Sequence, residues 1–264
     1  MNLRDKVIWI TGASSGIGEA TAYLAIKKGA KVILSSNQEK ELKDVTNNCL
    51  ELGGEAKSVY VDLNNSESLP KVAEKAIACF GRIDILFNNG GISQRATTME
   101  TSMEVQRRVM QINFFSAVEL TKCILPHMIE QGGGLLAATT SIAGKFGFPL
   151  RSAYCSSKHA LYGFFETVRA EYVKDNIRVT FLCPGRVRTN ISMHALDKNG
   201  KPTGKMDAGL AGGIPVEKAA AKIIRSFEKE KKDVLIGGKE LLMVYIKKYL
   251  PRLFYKIVPN IKPT

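Results

Sequence analysis

A tyrosine and a lysine four residues apart, Tyr154 and Lys158, have the types and the spacing of a proton-transfer pair. In a helix, side chains at this spacing lie on one face, one turn apart. A phenol with a pKa of about 10 is a poor acid or base at neutral pH, but a neighbouring ammonium favours the phenolate and lowers that pKa. The pair therefore predicts a general acid/base, although the pattern alone also describes an ordinary pair on a helix surface.

Hydroxyl side chains end a short apolar run upstream of this pair, at Thr139, Thr140 and Ser141. A strand that ended there would carry its last side chains to the edge of a sheet. Ser141 could bind a carbonyl oxygen at that edge. The predicted chemistry is therefore proton transfer to or from an oxygen that Ser141 holds beside Tyr154.

A glycine-rich turn follows the apolar run of residues 7–10, which is typical of a strand buried on both faces of a parallel sheet. Gly12 permits a sharp turn, while Gly16 and Gly18 let the backbone approach a pyrophosphate and pack a helix against the strand. The helix N-terminus offers free N–H groups to anionic oxygens. The spacing differs from the usual G-x-G-x-x-G, but its place between a strand and an amphipathic helix indicates a dinucleotide site.

Several further motifs accompany the pair and the glycine turn. The set is Thr11-Gly12-Ala13-Ser14-Ser15-Gly16-Ile17-Gly18, Asn88-Asn89-Gly90-Gly91, Asn113, Ser141, Tyr154-x3-Lys158 and Pro184-Gly185. In this order and approximate spacing, the chain resembles the short-chain dehydrogenase/reductases over about residues 5–237. One motif departs from the family, because N-N-G-G stands where N-N-A-G is usual. We expect Gly91 to loosen this cofactor-facing loop without loss of function.

The resemblance implies an NAD(P)-dependent oxidoreductase that interconverts a carbonyl and an alcohol. Hydride would pass between nicotinamide C4 and the carbonyl carbon, while Tyr154 gives or takes the proton and Ser141 holds the oxygen. Lys158 would lower the Tyr154 pKa and bind the nicotinamide ribose. Asn113 would order this relay through a kinked helix and water. The predicted catalytic residues are Asn113, Ser141, Tyr154 and Lys158, of which Ser141 and Tyr154 also bind the substrate.

The choice of cofactor depends on the end of the second predicted strand. An acidic residue there binds the ribose of NAD, whereas a cation accommodates the 2′-phosphate of NADP. The sequence has Ser36 and Asn37, so neither signature is present, and the arginine that the family often has at position 37 or 15 is replaced by Asn37 and Ser15. Because hydroxyl and amide donors can bind a phosphate and no carboxylate repels it, NADP is preferred over NAD. The predicted cofactor-binding residues are Gly12, Ser14, Ser15, Gly16, Ile17, Gly18, Ser36, Asn37, Asp62, Leu63, Asn89, Gly90, Tyr154, Lys158, Pro184, Gly185, Val187 and Thr189.

The elements that must position these side chains alternate between strand and helix. Strands are predicted at residues 7–10, 31–35, 56–61, 83–87, 135–139, 177–183 and 234–236. Between them, a long helix over about 104–130 carries Asn113, and a helix over 152–174 carries the proton-transfer pair. The alternation predicts an α/β, single-domain, Rossmann-type doubly wound parallel sheet of about seven strands, with the ligand crevice at the carboxyl ends of the strands.

A glycine- and lysine-rich segment over about 186–215 interrupts the alternation and is predicted to be a substrate lid. The pocket would be built from about residues 92–98, 142–151 and this lid. Its apolar side chains predict a mainly apolar ligand, with a ketone, a 3-oxoacyl thioester and a steroid or retinoid all left open. These side chains are Phe146, Phe148, Met193 and Leu196.

The C-terminal residues 239–264 are predicted to be a basic amphipathic extension of a catalytic domain formed by residues 1–238. Six lysines and arginines up to Lys262 face a single acidic residue, Glu240, and alternate with apolar clusters. The apolar runs are shorter than the roughly 20 residues that cross a bilayer, and Pro251 interrupts a helix. Contact with a lipid interface, cover of the substrate pocket, and packing on the domain or on a second subunit remain open. A homodimer or homotetramer is expected.

The net charge of +13 is compatible with nucleic acid, a membrane surface or an anionic cofactor as partner. No nucleic-acid motif accompanies the charge, so a nucleic-acid partner is not predicted. A binder of anionic surfaces would be distinguished by salt-sensitive retention. A catalytically idle dinucleotide-binding sensor on the same fold is the alternative function, but it would need only the glycine turn and not the full set of catalytic residues.

The five cysteines are odd in number and widely spaced, without a C-x-x-C, which is typical of reduced thiols in a cytoplasmic protein. The three histidines form no ligand cluster, so no metal site is predicted. Residues 1–6 lead directly into the first predicted strand, which leaves no room for a signal peptide. We therefore expect a cytoplasmic protein, with peripheral contact to a membrane left open.

Overall fold

Seven parallel strands form the central sheet of the computed structural model, which describes residues 1–261. The strands are β1 (Val7–Thr11), β2 (Lys31–Ser35), β3 (Ala56–Ser58), β4 (Ile85–Asn88), β5 (Gly134–Thr139), β6 (Ile177–Pro184) and β7 (Asp233–Ile236). Their order across the sheet is β3-β2-β1-β4-β5-β6-β7. The direction in which the chain adds strands reverses between β1 and β4, which makes this point the topological switch of a doubly wound sheet. The predicted fold class is confirmed.

Helices cover both faces of the sheet. They are α1 (Gly16–Lys27), α2 (Glu39–Glu51), α3 (Leu69–Phe80), α4 (Met103–Met110), α5 (Ser116–Glu130), α6 (Ser152–Glu171), α7 (Ala208–Ala211), α8 (Val216–Glu228), α9 (Leu242–Tyr249) and α10 (Pro251–Ile257). One core layer packs α1, α2 and α8 against the sheet, and the other packs α3, α5 and α6 against its opposite face.

Strand β1 shows why its sequence is apolar throughout. Ile8 and Ile10 lie in the first core layer, whereas Val7 and Trp9 lie in the second, and all four side chains are buried. Successive side chains of a strand point to opposite faces, so a strand covered on both faces needs apolar residues at every position. The indole of Trp9 donates a hydrogen bond of 2.9 Å to the hydroxyl of Ser35, which satisfies its buried N–H group.

The long helix predicted over about 104–130 is divided into three parts. A π-helical turn, Gln111–Phe115, separates α4 from α5 and contains Asn113. Asparagine is a poor interior residue of an α-helix, and a buried one needs hydrogen-bond partners. The π-helical turn lies where this buried amide meets partners outside its own helix, as is common for such turns at functional sites.

The segment over 186–215, predicted to be a lid, is packed against the rest of the domain. Val187 pairs with Ile214, and Leu196 pairs with both Gln94 and Pro202 in isolated bridges. Short helical turns lie at Asn190–Ser192 and in α7. Nothing in this packing tests whether the segment opens, so its function as a lid stays a prediction.

The C-terminal residues pack on the domain itself. Pro251 begins α10, where its missing N–H group is not needed, so the proline separates two short helices. The Phe254 side chain is buried, and its ring centroid lies 5.1 Å from that of Phe146. The ammonium of Lys247 donates a 2.7 Å hydrogen bond to the carbonyl of Lys145. The predicted tail extends to residue 264, and its last three residues lie outside the described part of the chain.

Candidate active site

A cavity of about 1010 Å³ opens at the carboxyl ends of the strands, across the topological switch. It is lined by all the predicted cofactor-binding residues except Gly18. These are Gly12, Ser14, Ser15, Gly16, Ile17, Ser36, Asn37, Asp62, Leu63, Asn89, Gly90, Tyr154, Lys158, Pro184, Gly185, Val187 and Thr189. The fold therefore brings together residues from six separate stretches of the chain.

The glycine turn is built by close contacts of backbone on backbone. Gly12 has φ +63, and a Cβ atom there would lie 2.7 Å from the Cα atom of Gly90. A Cβ atom at Gly18 would lie 2.2 Å from the carbonyl oxygen of Gly12. Gly18 thus supports the turn from beneath instead of lining the cavity. Ser15 caps α1 without a side-chain hydrogen bond, so the first N–H groups of α1 are available to anionic oxygens.

Asn89 ties together the ends of three strands beneath the cavity. Its amide nitrogen lies 3.1 Å from the carbonyl of Thr11 and 3.2 Å from that of Gly12. Its amide oxygen accepts a 3.1 Å hydrogen bond from the hydroxyl of Thr139. This partly buried network fixes the loop after β4 against the glycine turn.

Gly91, the departure from the family motif, lies between two of the predicted catalytic residues. A Cβ atom at this position would lie 3.0 Å from the amide oxygen of Asn113 and 3.5 Å from the ammonium nitrogen of Lys158. The glycine leaves space that an alanine would fill. The expected loosening of the loop stays a prediction.

Ser141, Tyr154 and Lys158 converge at one end of the cavity. The Tyr154 phenol is within hydrogen-bonding reach of the Ser141 hydroxyl, two residues after the end of β5. The Lys158 ammonium, one turn along α6, lies 5.8 Å from the centroid of the Tyr154 ring. It donates a 2.8 Å hydrogen bond to the carbonyl of Thr139. The end of a strand and one face of a helix therefore present a hydroxyl, a phenol and an amine to the same space.

Asn113 lies behind this group and does not line the cavity. Its amide nitrogen donates to the carbonyl of Ile92 at 2.9 Å and to the hydroxyl of Ser157 at 3.0 Å. Its amide oxygen accepts from the N–H group of Ile92 at 2.8 Å. Asn113 thereby clamps the loop after β4 to α6, while its predicted part in a proton relay stays a prediction.

Burial is the largest influence on the pKa of both Tyr154 and Lys158. It raises the pKa of Tyr154 above its ordinary value, and the hydrogen bond from Ser141 and the charges of Arg151 and Arg95 oppose this rise. Burial also lowers the pKa of Lys158 to about 8. The cost of removing the phenolate from water therefore outweighs the opposing groups in this structure, and the predicted lowering of the Tyr154 pKa by Lys158 stays a prediction.

Three charged residues beside Tyr154 were missed by the sequence analysis. Arg151, Arg95 and Asp207 form a buried ion cluster, and both Arg151 and Asp207 line the cavity. Arg151 could have been found, because it precedes Tyr154 by three residues and helix residues at that spacing are neighbours. Arg95 and Asp207 are separated by 112 positions, so no local pattern connects them.

The substrate end of the cavity is partly apolar, as predicted, but only two of the four apolar side chains named from the sequence line it. Phe146 and Phe148 line it, whereas Met193 and Leu196 do not. Leu196 packs instead into a small core cluster, and Met193 is 37% exposed. Ile142, Ile191, His194 and Leu210 line the cavity from the ranges predicted for the pocket. Met243 and Ile261 also line it, and they lie in the C-terminal residues outside those ranges.

Side chains that could hold a metal ion were also sought among residues 1–261. No group of three or more histidine, cysteine, aspartate or glutamate side chains is suitably placed within that range. The same described residues contain no helix whose length and apolar character would let it cross a bilayer.

Comparisons with known proteins agree with this geometry. The family model for the short chain dehydrogenases matches residues 6–200. Dehydrogenase/reductase SDR family member 7B of Mus musculus is 38% identical over 266 residues, which cover 98% of this chain and 81% of the relative. Dehydrogenase/reductase SDR family protein 7-like of Anopheles gambiae is 40% identical over 241 residues, which cover 89% of this chain and 76% of that relative. The chain therefore belongs to the short-chain dehydrogenase/reductase family of oxidoreductases.

Solved structures share the whole fold. A short chain dehydrogenase/reductase from Burkholderia phymatum in complex with NAD has a TM-score of 0.86 at 22% identity, covering 100% of this chain and 98% of that one. An alcohol dehydrogenase from Thermococcus sibiricus, complexed with 5-hydroxy-NADP, has a TM-score of 0.76 at 25% identity, covering 89% and 97%. The Burkholderia phymatum structure, at 22% identity, shows similarity of fold only.

Proposed function

We propose that this protein interconverts a carbonyl group and an alcohol on a small, mainly apolar molecule. A nicotinamide dinucleotide supplies or accepts the hydride when it is bound. The observation that carries the proposal is the convergence of Ser141, Tyr154 and Lys158 at one end of a cavity whose other end is lined by the glycine turn. The free N–H groups of α1 and the bare backbone at Gly12 fit a pyrophosphate.

Each side chain has a part in the proposed reaction. The Ser141 hydroxyl holds the substrate oxygen, and the Tyr154 phenol donates a proton to that oxygen during reduction or accepts one during oxidation. Lys158 binds the ribose hydroxyls of the nucleotide in this proposal, which would give its buried ammonium further polar partners besides the carbonyl of Thr139. Asn113 maintains the distance between α6 and the loop after β4.

The test is turnover against a panel of carbonyl compounds, followed by the loss of NADPH or NADH absorbance. The panel should include ketones, 3-oxoacyl thioesters, steroids and retinoids. We expect at least one class to be reduced. Tight binding of a dinucleotide with no turnover in either direction would favour the alternative, a catalytically idle sensor on the same fold.

NADP is proposed as the preferred cofactor, with NAD as the alternative. Ser36 and Asn37 line the far end of the cavity, where the 2′-phosphate of NADP would lie. The N-terminus of α2 begins beside them at Gln38 without a side-chain cap, so it offers N–H groups to an anion. The exposed carboxylate of Glu41 also lines this end and acts in the opposite direction, which makes a direct measurement informative.

Replacing Ser36 with Asp is expected to weaken NADPH binding and to favour NADH. The new carboxylate would face the 2′-phosphate, and the repulsion of two like charges at about 4 Å is about 4 kcal/mol in a partly screened site. Fluorescence titration with both cofactors measures the change. Ser58, exposed at the end of the neighbouring strand β3, gives the matched control Ser58→Asp. Unchanged affinity of Ser36→Asp for both cofactors would mean that position 36 does not face the ribose.

Peripheral contact with an anionic membrane through the C-terminal helices is a further part of the proposal. Leu242, Tyr245 and Tyr249 share one face of α9 and are 60%, 50% and 66% exposed. Exposed cations lie in the same two C-terminal helices: Lys248 in α9, and Arg252 and Lys256 in α10. An apolar, aromatic surface with cations is typical of a segment that lies in a lipid interface. A cytoplasmic location at the periphery of a membrane, without a nucleic-acid partner, goes with this proposal.

The double variant Tyr245→Ser/Tyr249→Ser is expected to lose most of its binding to vesicles that contain phosphatidylserine. Wild-type binding should fall at high salt, because the cations contribute about 1 kcal/mol each near an anionic surface. Sedimentation with the vesicles measures binding. A variant with Leu50→Ser and Leu52→Ser is the control, since these side chains are 49% and 47% exposed elsewhere.

Equal sedimentation of the two double variants would rule out a membrane role for this surface. Truncation of the whole tail is a poorer test, because it would also remove Phe254 from its contact with Phe146. A homodimer or homotetramer is proposed as the assembly. If the Tyr245→Ser/Tyr249→Ser variant changed the molecular mass measured by light scattering, the surface would belong to a subunit interface instead.

A further inference from the structure

Three buried charged side chains form an ion cluster at the substrate end of the cavity. A carboxylate oxygen of Asp207 lies 2.5 Å from a guanidinium nitrogen of Arg95 and 3.0 Å from one of Arg151. The three side chains are only 6% to 10% exposed. Charges are rarely buried unless they are paired, so this cluster is a costly feature to place beside an active site.

The cluster connects three separate parts of the fold. Arg95 follows β4, Asp207 precedes α7 in the segment over 186–215, and Arg151 precedes α6. The hydroxyl of Ser93 accepts hydrogen bonds from Arg95 at 2.6 Å and from Arg151 at 3.3 Å. The guanidinium of Arg151 also lies 5.6 Å from the centroid of the Phe148 ring. These contacts hold Arg151 in one place.

That place is beside the phenol that transfers the proton in the proposed reaction. Arg151 precedes Tyr154 by three residues at the start of α6, and both side chains line the cavity. The positive charges of Arg151 and Arg95 both favour the phenolate of Tyr154. Lys158, one turn further along α6, is itself buried, and burial lowers its pKa to about 8.

We propose that Arg151, held in position by Asp207 and Arg95, is a positioning residue that stabilises the phenolate of Tyr154 during proton transfer. Arg151 and Arg95 would thus act in addition to the lysine four residues after the tyrosine, to which the family resemblance assigns this role. The effect on turnover depends on the proposed function, but the effect on the titration of Tyr154 does not.

Other titratable and charged groups near Tyr154 must be included when its titration is interpreted. Cys155 and Lys158 belong to the same helix, and Arg95 belongs to the loop after β4. His194 and Asp207 line the cavity from the segment over 186–215. Lys239 and Glu240 line it from the stretch before α9. Arg151→Gln removes one ion-pair partner of Asp207, whereas Arg151→Lys keeps a positive charge at this position, so the two variants together assign a shift to the lost charge.

The test is a titration of Tyr154 in protein labelled with ¹³C at the ζ carbon of tyrosine. The resonance of Tyr154 is identified by its loss in Tyr154→Phe. In Arg151→Gln we expect the midpoint to move upward by about one pH unit, the size expected for one cation at a partly screened distance. Arg151→Lys should recover most of the wild-type midpoint, because it keeps the charge.

Arg178→Gln is the matched control. Arg178 forms an ion pair with Glu230 at the other end of the sheet, so its loss should leave the midpoint unchanged. Equal midpoints in wild type and Arg151→Gln would overturn the proposal, as would a shift in Arg151→Lys as large as that in Arg151→Gln. If Arg151→Gln does not fold, Arg95→Gln gives the same test with a smaller expected shift.

Kinetics separate this proposal from the proposed function. Reduction needs the protonated phenol, so the rate falls as pH rises through the Tyr154 pKa, and this falling limb should move to higher pH in Arg151→Gln. In the oxidation direction the rising limb should move to higher pH as well. A purely structural role would lower the rate without moving either limb. Absence of all turnover, together with a shifted titration, would refute the proposed function and leave this inference standing.

Discussion

Replacing Tyr154 with Phe is expected to lower turnover by about 10²- to 10⁴-fold, the usual contribution of a general acid/base. The change removes one hydroxyl and therefore the transferable proton, while the ring and its contacts remain. Cofactor binding should stay close to that of the wild type, because the glycine turn and Lys158 are untouched. Steady-state kinetics with a carbonyl compound that the wild type reduces measures turnover. Fluorescence titration with the cofactor measures cofactor affinity separately.

Tyr162→Phe is the matched control for this experiment. Tyr162 lies two turns further along α6, and its hydroxyl is 3.0 Å from that of Thr140, but it does not line the cavity. Its loss should cost about 1 kcal/mol of stability, the usual value of one hydrogen bond, and leave turnover nearly unchanged. Turnover of Tyr154→Phe within a few-fold of the wild type would contradict the assignment of the proton donor.

Replacing Gly18 with Ala is expected to reduce the free energy of unfolding by about 3 kcal/mol. The added Cβ atom would lie 2.2 Å from the carbonyl oxygen of Gly12, so the backbone of the turn itself must move. Cofactor affinity should fall at least about tenfold, because a loss of only 1.4 kcal/mol in binding free energy has that effect. Urea unfolding and cofactor titration measure the two changes.

Gly163→Ala makes the same substitution on a helix where there is room for it. Gly163 lies in α6, and nothing lies within 4 Å of a Cβ atom built there. Alanine is better than glycine in a helix by up to about 1 kcal/mol, so this variant should be slightly more stable than the wild type. If the two alanine variants had the same stability, the contact beneath the glycine turn would not be rigid.

The sequence could predict the features that depend on neighbours along the chain. The pairing of Tyr154 with Lys158 follows from the helical repeat, and the position of the glycine turn follows from the strand before it. The order of strands and helices follows from the apolar runs, because strands covered on both faces need apolar residues at successive positions. These local rules were sufficient for the fold class, whereas most of the predicted cofactor-binding residues came from the resemblance to the family.

The tertiary structure decided the features that depend on burial and on contacts between distant residues. The π-helical turn at Asn113 depends on partners in Ile92 and Ser157, and the raised pKa of Tyr154 depends on how much water the fold removes. The ion cluster joins Arg95 to Asp207 across 112 positions. Spacing along the chain carries no information about such contacts, because they form only when the sheet and its loops bring remote side chains into one desolvated site.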